Sequence, residues 1–192
     1  MRVPVPLKDA YRLLNHGPTT LVSTCDPGLD ARGGGKANVM AAAWAMPIDF
    51  EPPKVAVVVA EGTYTRELLE RNGELVLSLP TVELIDKVYE VGTRSGREVD
   101  KWQTLGHMKA SKVRPPLIEG CVGWLECVAL AEDALREKHD LVIAEVVAAW
   151  ADDEVYRDRE WRFTAGDPRR TIHHMARGTF FATGERLEAR KG

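Results

Sequence analysis

The stretch GGGKANVMAAAWAMPID, residues 33–49, decides how the chain is read. Three glycines and a lysine lead to Asn38, and a run of very small side chains from Ala41 to Ala43 ends at Trp44. A strand so poor in side-chain bulk forfeits packing, since each buried methylene is worth ~0.8 kcal/mol. That loss makes sense where something other than protein lies against the backbone. NVMAAAWA, residues 38–45, is expected to be a single strand.

Working outward, β-branched runs bounded by turn residues mark further strands. They are TTLVSTC (19–25), KVAVVVA (54–60, after Pro52-Pro53) and ELVLSLP (74–80). CVGWLECVALA (121–131) and LVIAEVVAAWA (141–151) read as the two arms of a hairpin across the charged EDALREKHD. Helices are expected over LKDAYRLLNH (7–16), over residues 63–73 with a Thr N-cap and a Gly stop, and over 81–92. Residues 93–116 read as irregular, and in the tail TIHHMARGTFFATGE (171–185) is the patterned piece. Strands mostly in hairpin order exclude a doubly wound parallel sheet, which needs strands and helices in regular alternation. The expected fold is mainly β of α+β type: an antiparallel barrel with peripheral helices, in one domain spanning 1–192.

Composition sets the outer limits. A chain of 192 residues with 44% apolar and 29% charged residues has material for a sizeable core. Its net charge of −3, with Lys and Arg scattered, argues against a nucleic-acid partner. No apolar run reaches membrane-spanning length and the first residues carry no signal-peptide pattern, so a soluble, cytoplasmic protein is expected. Cys121 and Cys127 in one strand would stand about 20 Å apart, too far for a disulfide, and Cys25 is alone.

Standard motifs are missing. Gly35-Lys36 fails the phosphate-loop pattern, because Asp30 stands where it requires Gly and Ala37 where it requires Ser or Thr. No GxGxxG, HExxH, GxSxG or metal-ligand spacing occurs. His173 and His174 would point to opposite strand faces, and His16 and His107 are read as structural. EGTYTRELLE is more informative: free amides at a helix start, the hydroxyls of Thr63 and Thr65 and the Arg66 guanidinium make a plausible anion cradle. Beside an alanine-lined strand ending in an aromatic ring, such a cradle suits a flat cofactor with a phosphate tail. The plain alternatives are an ordinary N-cap and alanines facing a packed helix.

The order of Asn38-Val-Met-x-x-x-Trp44, then Gly-Thr-Tyr-Thr65-Arg-Glu-Leu, then GELVLSLP, resembles the flavin reductase-like and flavoredoxin family of FMN-binding split barrels. The similarity continues through VGTRSGREVDKW (91–102), His139 before LVIAEV, and HMARGTFF (174–181). It implies a split barrel and a homodimer holding one FMN per subunit near the interface. It also implies flavin contacts from Asn38, Trp44, Thr65, Lys101, His139 and one of Phe180 and Phe181, joined by backbone groups of Val39, Met40 and Ala41. Thr65, the helix amides and Arg66 would hold the phosphate, and Lys101 would neutralise phosphate or reduced flavin. Where the family commonly has His-x-Gly-Gly before its last aromatic, this chain has Ala176-Arg177-Gly178. The activity implied is electron transfer from NAD(P)H or a redox protein through FMN to an acceptor. No side chain need act as acid, base or nucleophile. The alternative of another class is a non-catalytic ligand-binding or scaffolding dimer.

Overall fold

A computed structural model describes residues 2–13, 17–29 and 35–189. His16, Asp30, Gly33 and Gly34 lie outside the described residues. In chain order the elements begin with β1 (Arg2–Pro4), a 3-10 turn over Leu7–Leu13, β2 (Thr20–Cys25), β3 (Ala37–Ala42), β4 (Ala45–Phe50) and β5 (Pro53–Val58). Next come α1 (Tyr64–Asn72), β6 (Glu74–Leu79), α2 (Ile85–Thr93), and the two-residue strands β7 (His107–Met108) and β8 (Leu117–Ile118). The chain closes with β9 (Gly123–Ala129), α3 (Asp133–His139), β10 (Leu141–Asp152) and the short hairpins β11 (Tyr156–Arg157) to β12 (Glu160–Trp161) and β13 (Ile172–Ala176) to β14 (Thr179–Ala182).

Among the described residues, eight strands form one antiparallel sheet in the order β3-β2-β6-β9-β10-β5-β4, with β1 added on β10. The antiparallel, mainly β expectation therefore holds. The sheet buries apolar residues on both faces. Val22, Leu75, Leu77, Leu125 and Val142 serve one core, and Leu21, Val39, Val76, Trp124 and the α2 residues Val88 and Val91 serve the other. This two-sided burial explains why the β-branched runs lack a polar alternate position.

Helix α1 starts and stops where its caps dictate. Thr63 Oγ1 accepts the Arg66 amide at 3.2 Å, and Gly73, at φ 72°, takes the left-handed turn and donates to the Leu69 carbonyl. Few side chains other than glycine adopt that φ without strain.

The structure corrects three expectations. Residues 38–45 are not one strand: β3 ends at Ala42, Ala43 and Trp44 break the ladder, and AMPIDF forms the separate β4. The described part of the expected helix 7–16 is a 3-10 turn. EDALREKHD is not a simple hairpin connection but contains α3, closed by Asp140 at φ 55°. No α3 residue is buried, so its sequence carries no apolar stripe to announce a helix.

The irregular segment after α2 is held firmly. Ser23, Val76 and Glu126 lie side by side across β2, β6 and β9, and two of them hold the strap formed by residues 109–116. The fully buried Glu126 carboxylate accepts the amides of Ser111 and Lys112, the Ser111 hydroxyl and the Trp150 indole N–H. Ser23 donates to the Pro116 carbonyl at 2.6 Å, and Arg114 grips Glu74. A buried carboxylate met by four donors needs no cation to be tolerated.

Candidate functional site

Among the described residues, strand β3 pairs with β2 alone and its other edge meets no strand. Side chains take that edge instead. The Trp102 indole donates to the Ala37 carbonyl at 2.9 Å, and the Lys101 ammonium donates to the Val39 carbonyl at 2.8 Å. The same ammonium donates to Val91 at 2.7 Å, one of the carbonyls left over in the last turn of α2, where the helix dipole favours a cation. Along a strand every second residue faces its backbone groups the same way. Ala37 and Val39 thus set the parity by which Ala41 directs its N–H and C=O outward, next to Trp44.

Trp44 is 72% exposed, so it belongs to no core. Ala41 divides the two explanations of the small residues. Its side chain lies under α2 so closely that a Cβ built on Gly92 would stand 3.2 Å from its own. The alanine's size is therefore set by a helix, as the plain reading has it, and among the described residues no side chain caps its backbone groups. Met40 and Ala42 turn to the opposite face and join the first core.

At the other end of β3, Asn38 is buried and its amide donates to the Thr65 hydroxyl at 2.8 Å. Gly96 passes so near that a Cβ there would collide with the Asn38 side chain, so this position requires glycine. Asn38, Tyr64, Lys101 and Trp102 line a cavity of about 1030 Å³, closed by the loop 96–102 and by the strap residues Lys109, Val113 and Pro116. Lys101 is buried with carbonyl partners and, among the described residues, no carboxylate. Desolvation pushes its pKa down to about 8.

Not every expected residue arrives at this site. The Arg66 guanidinium is consumed inside the protein, donating to Glu70 at 2.6 Å and to the carbonyls of Val59 and Arg136 at 2.9 and 3.1 Å, with Asp140 at 3.5 Å. The Thr63 hydroxyl is occupied as the cap and donates to Ala60. Around them stand Glu61, Glu67, Glu70, Glu137 and Asp140 in a second depression of about 370 Å³. Five carboxyl groups against the guanidiniums of Arg66 and Arg97 leave that depression with an excess of negative charge, hostile to a phosphate. The side-chain cradle expected at Thr63 and Arg66 is therefore corrected to a structural clamp.

Thr65 is buried, accepts the Asn38 amide and does not line the cavity. His139 is exposed in the last turn of α3 and lines neither depression. The hairpin of β13 and β14 separates its two phenylalanines. Phe180 packs on the second core, edge to face with His174 at 5.1 Å, and Phe181 is exposed. His173 and His174 have separate partners, the carbonyls of Gly17 and Arg177.

Several residues of the cavity escaped the sequence reading. His107, taken as structural, is exposed on the cavity wall with Trp102 at 5.5 Å between ring centres. Gly96, Trp102 and Lys109 belong to the segment read as irregular. The available signal was composition: a tryptophan, a histidine and several lysines and arginines in a stretch without periodicity. The three cysteines are buried free thiols, and burial raises the Cys25 pKa to about 11 and those of Cys121 and Cys127 further, which makes them unreactive. No group of potential metal ligands occurs among the described residues, and no helix is long and apolar enough to cross a membrane.

An antiparallel sheet of this order, with a small-residue end strand opening on a cavity, defines a class. Residues 12–169 match the flavin reductase like domain, and the chain belongs to that family. It is 40% identical over 190 residues to the uncharacterized protein YddH of Escherichia coli K12, covering 97% of each chain. The FMN-binding domain of a flavin reductases-like enzyme from Shewanella baltica OS155 superposes with a TM-score of 0.91 at 39% identity, over 99% of this chain and 98% of that one. Flavoredoxin of Desulfovibrio vulgaris (Miyazaki F) follows the same fold, with a TM-score of 0.74 at 23% identity over 90% of each chain.

Proposed function

We propose that this protein is an FMN-dependent oxidoreductase, active as a homodimer with one flavin per subunit along the open edge of β3. The observation that carries this is the edge itself. Two of its outward carbonyls, at Ala37 and Val39, are capped by Trp102 and Lys101, while Ala41, next in the same parity, is left to an outside partner. A planar ring with donors and acceptors on its rim fits there, flanked by the exposed Trp44. The fit extends to charge. Asn38 stands roughly 10 Å up the strand from Ala41, and Val39, whose carbonyl holds Lys101, roughly 7 Å, within reach of a ribityl phosphate; Lys101 is a buried cation without an anion among the described residues.

Bound FMN supplies the redox chemistry, taking electrons from NAD(P)H or a redox protein and passing them to an acceptor. The chain's part is to hold and tune. Asn38, set by Thr65, orients the tail; Lys101 neutralises it; Ala41 reads the ring edge; Trp44 covers the ring. The homodimer is supported by β4, an end strand whose Met46, Ile48 and Phe50 are exposed on one side in line with Trp44. A second copy covering that stripe would bury an apolar face beside the flavin edge.

The decisive experiment is to purify the protein, add FMN and record its spectrum and mass in solution. A yellow dimer that releases FMN on denaturation, and bleaches anaerobically with NADH, NADPH or a reduced carrier protein, is expected. A colourless protein that acquires no flavin spectrum overturns the proposal and leaves the scaffolding dimer. A yellow protein that no donor bleaches overturns the redox assignment while keeping the binding one.

A further inference from the structure

Whatever lies against Asn38 is shut in. The Asn38 side chain is 3% exposed, and Gly96 presses on it so closely that a Cβ there would stand 2.0 Å from Asn38 Oδ1 and 3.2 Å from the Tyr64 ring. A guest that reaches Asn38 or leaves it must displace the loop that carries Gly96. That loop is built to move as a piece. Residues 95–99 fold into a turn of their own, with the amides of Glu98 and Val99 on the Ser95 carbonyl at 3.1 Å and the Arg97 amide on the Ser95 hydroxyl at 3.2 Å. None of them is buried, so no apolar side chain roots the turn in a core. Its two ends are fixed. Arg94 closes α2 on the Glu90 carbonyl, and beyond Asp100 the Lys101 ammonium and the Trp102 indole are anchored on α2 and β3. Among the described residues, only Arg97 ties the turn to the body of the protein by polar contacts. Its guanidinium donates to the Gly62 carbonyl at 2.9 Å and to Glu67 at 2.7 Å, and lies 5.3 Å over the Tyr64 ring. These partners cluster at the start of α1, the helix whose Thr65 holds Asn38. The Arg97 and Glu67 side chains are 45% and 46% exposed, and Glu67 is shared with Arg71 at 3.0 Å. An ion pair so exposed is weak and screened by salt.

We infer that residues 95–99 are a gate over the phosphate end of the flavin site, with Arg97 as its latch. Opening breaks no buried hydrogen bond. Arg97 leaves Glu67 and Gly62 for water, and the turn swings off Asn38 about Arg94 and Asp100. The latch partners all belong to this chain, so the gate closes alike on the free and the loaded protein. It therefore sets how fast flavin exchanges rather than how tightly it is held, and Arg97 is a positioning residue. The inference rests on the flavin assignment for the identity of the guest, while the movement of the loop needs no flavin.

Stopped-flow measurement of FMN association, and of FMN release into a flavin-scavenging protein, reads the latch. Arg97→Gln should speed both by about tenfold, the combined size of an exposed ion pair and an exposed cation–π contact, and leave Kd within about threefold. Glu67→Gln should speed both by a smaller factor. Adding it to Arg97→Gln should bring nothing more, because the two substitutions cut one latch. Arg71→Gln, which removes the other partner of Glu67, should speed neither. A second readout is taken before flavin is added. Relaxation dispersion of the amides of residues 95–99 should show opening on the microsecond-to-millisecond scale, with a larger open population in Arg97→Gln. Unchanged rates in Arg97→Gln, additive effects of the two substitutions, or faster release alone with Kd raised in proportion overturn the gate. So do amides that show no exchange in either protein. Failure of the flavin assignment would read differently: the amides still report the opening, which upholds the moving loop, while FMN binds neither protein.

Discussion

Arg66 and Lys101 are both buried cations near the same strand, and they have opposite surroundings. Arg66 sits among two carbonyls and the carboxylates of Glu70 and Asp140, so its charge is spent within the protein. Lys101 meets carbonyls only, and its desolvation is compensated by no anion. A cation that is already neutralised fastens structure. A cation left in debt of a negative charge is where an anionic ligand gains most.

The sharpest way to break this contrast is to remove each charge in turn. Arg66→Met should lower folding stability by about 1–3 kcal/mol, the size expected when the carbonyls of Val59 and Arg136 lose their donor while the half-exposed Glu70 and Asp140 return to water. FMN affinity measured well below the unfolding temperature should hardly move. Chemical denaturation with a flavin titration checks both, and a large loss of FMN affinity in the folded variant would return Arg66 to the phosphate. Lys101→Met should do the reverse. FMN binding should weaken about 10- to 100-fold, as for a lost charge-assisted hydrogen bond, with only a small shift in the denaturation midpoint.

The pH dependence sharpens the point. Folding lowers the Lys101 pKa from 10.5 to about 8, so between those values the unfolded chain binds more protons than the folded one. The cost of burying this charge is fully present below about pH 8 and is relieved as pH climbs towards 10.5. Affinity for an anionic cofactor runs the other way and should fall as pH rises through about 8, because the neutral amine no longer attracts phosphate. Flavin titrations at several pH values check the sign, and Lys101→Met should abolish the trend. The smallest effect is expected from Thr65→Val. It leaves the Asn38 amide without its acceptor and should weaken FMN about fivefold to tenfold without altering the fold, as followed by flavin fluorescence and circular dichroism.

What the sequence disclosed follows from how local each feature is. The β-branched runs of β2, β5 and β6 and the caps Thr63 and Gly73 are written within a few residues, and the structure repeats them. The strand break at Ala43 was hidden because Ala, Trp and Met continue the apolar pattern across it. The fate of Arg66 was illegible for a different reason: two of its partners, Arg136 and Asp140, lie 70 and 74 residues away on a helix that the sequence did not announce. Lys101 was named from the resemblance alone, whereas Asn38 also stood out as a donor and acceptor at the head of the alanine-rich strand. Their setting, with Gly96 pressed on the Asn38 amide and an ammonium closing α2, comes from loops whose paths leave no periodic trace.

The side chains bound along β3 also protect it. A bare sheet margin offers a ready template for a neighbouring chain to zip onto. Here an indole and an ammonium occupy two of the acceptors such a neighbour would need, and the capped stretch is denied to aggregation while the position opposite Ala41 stays free for a small guest.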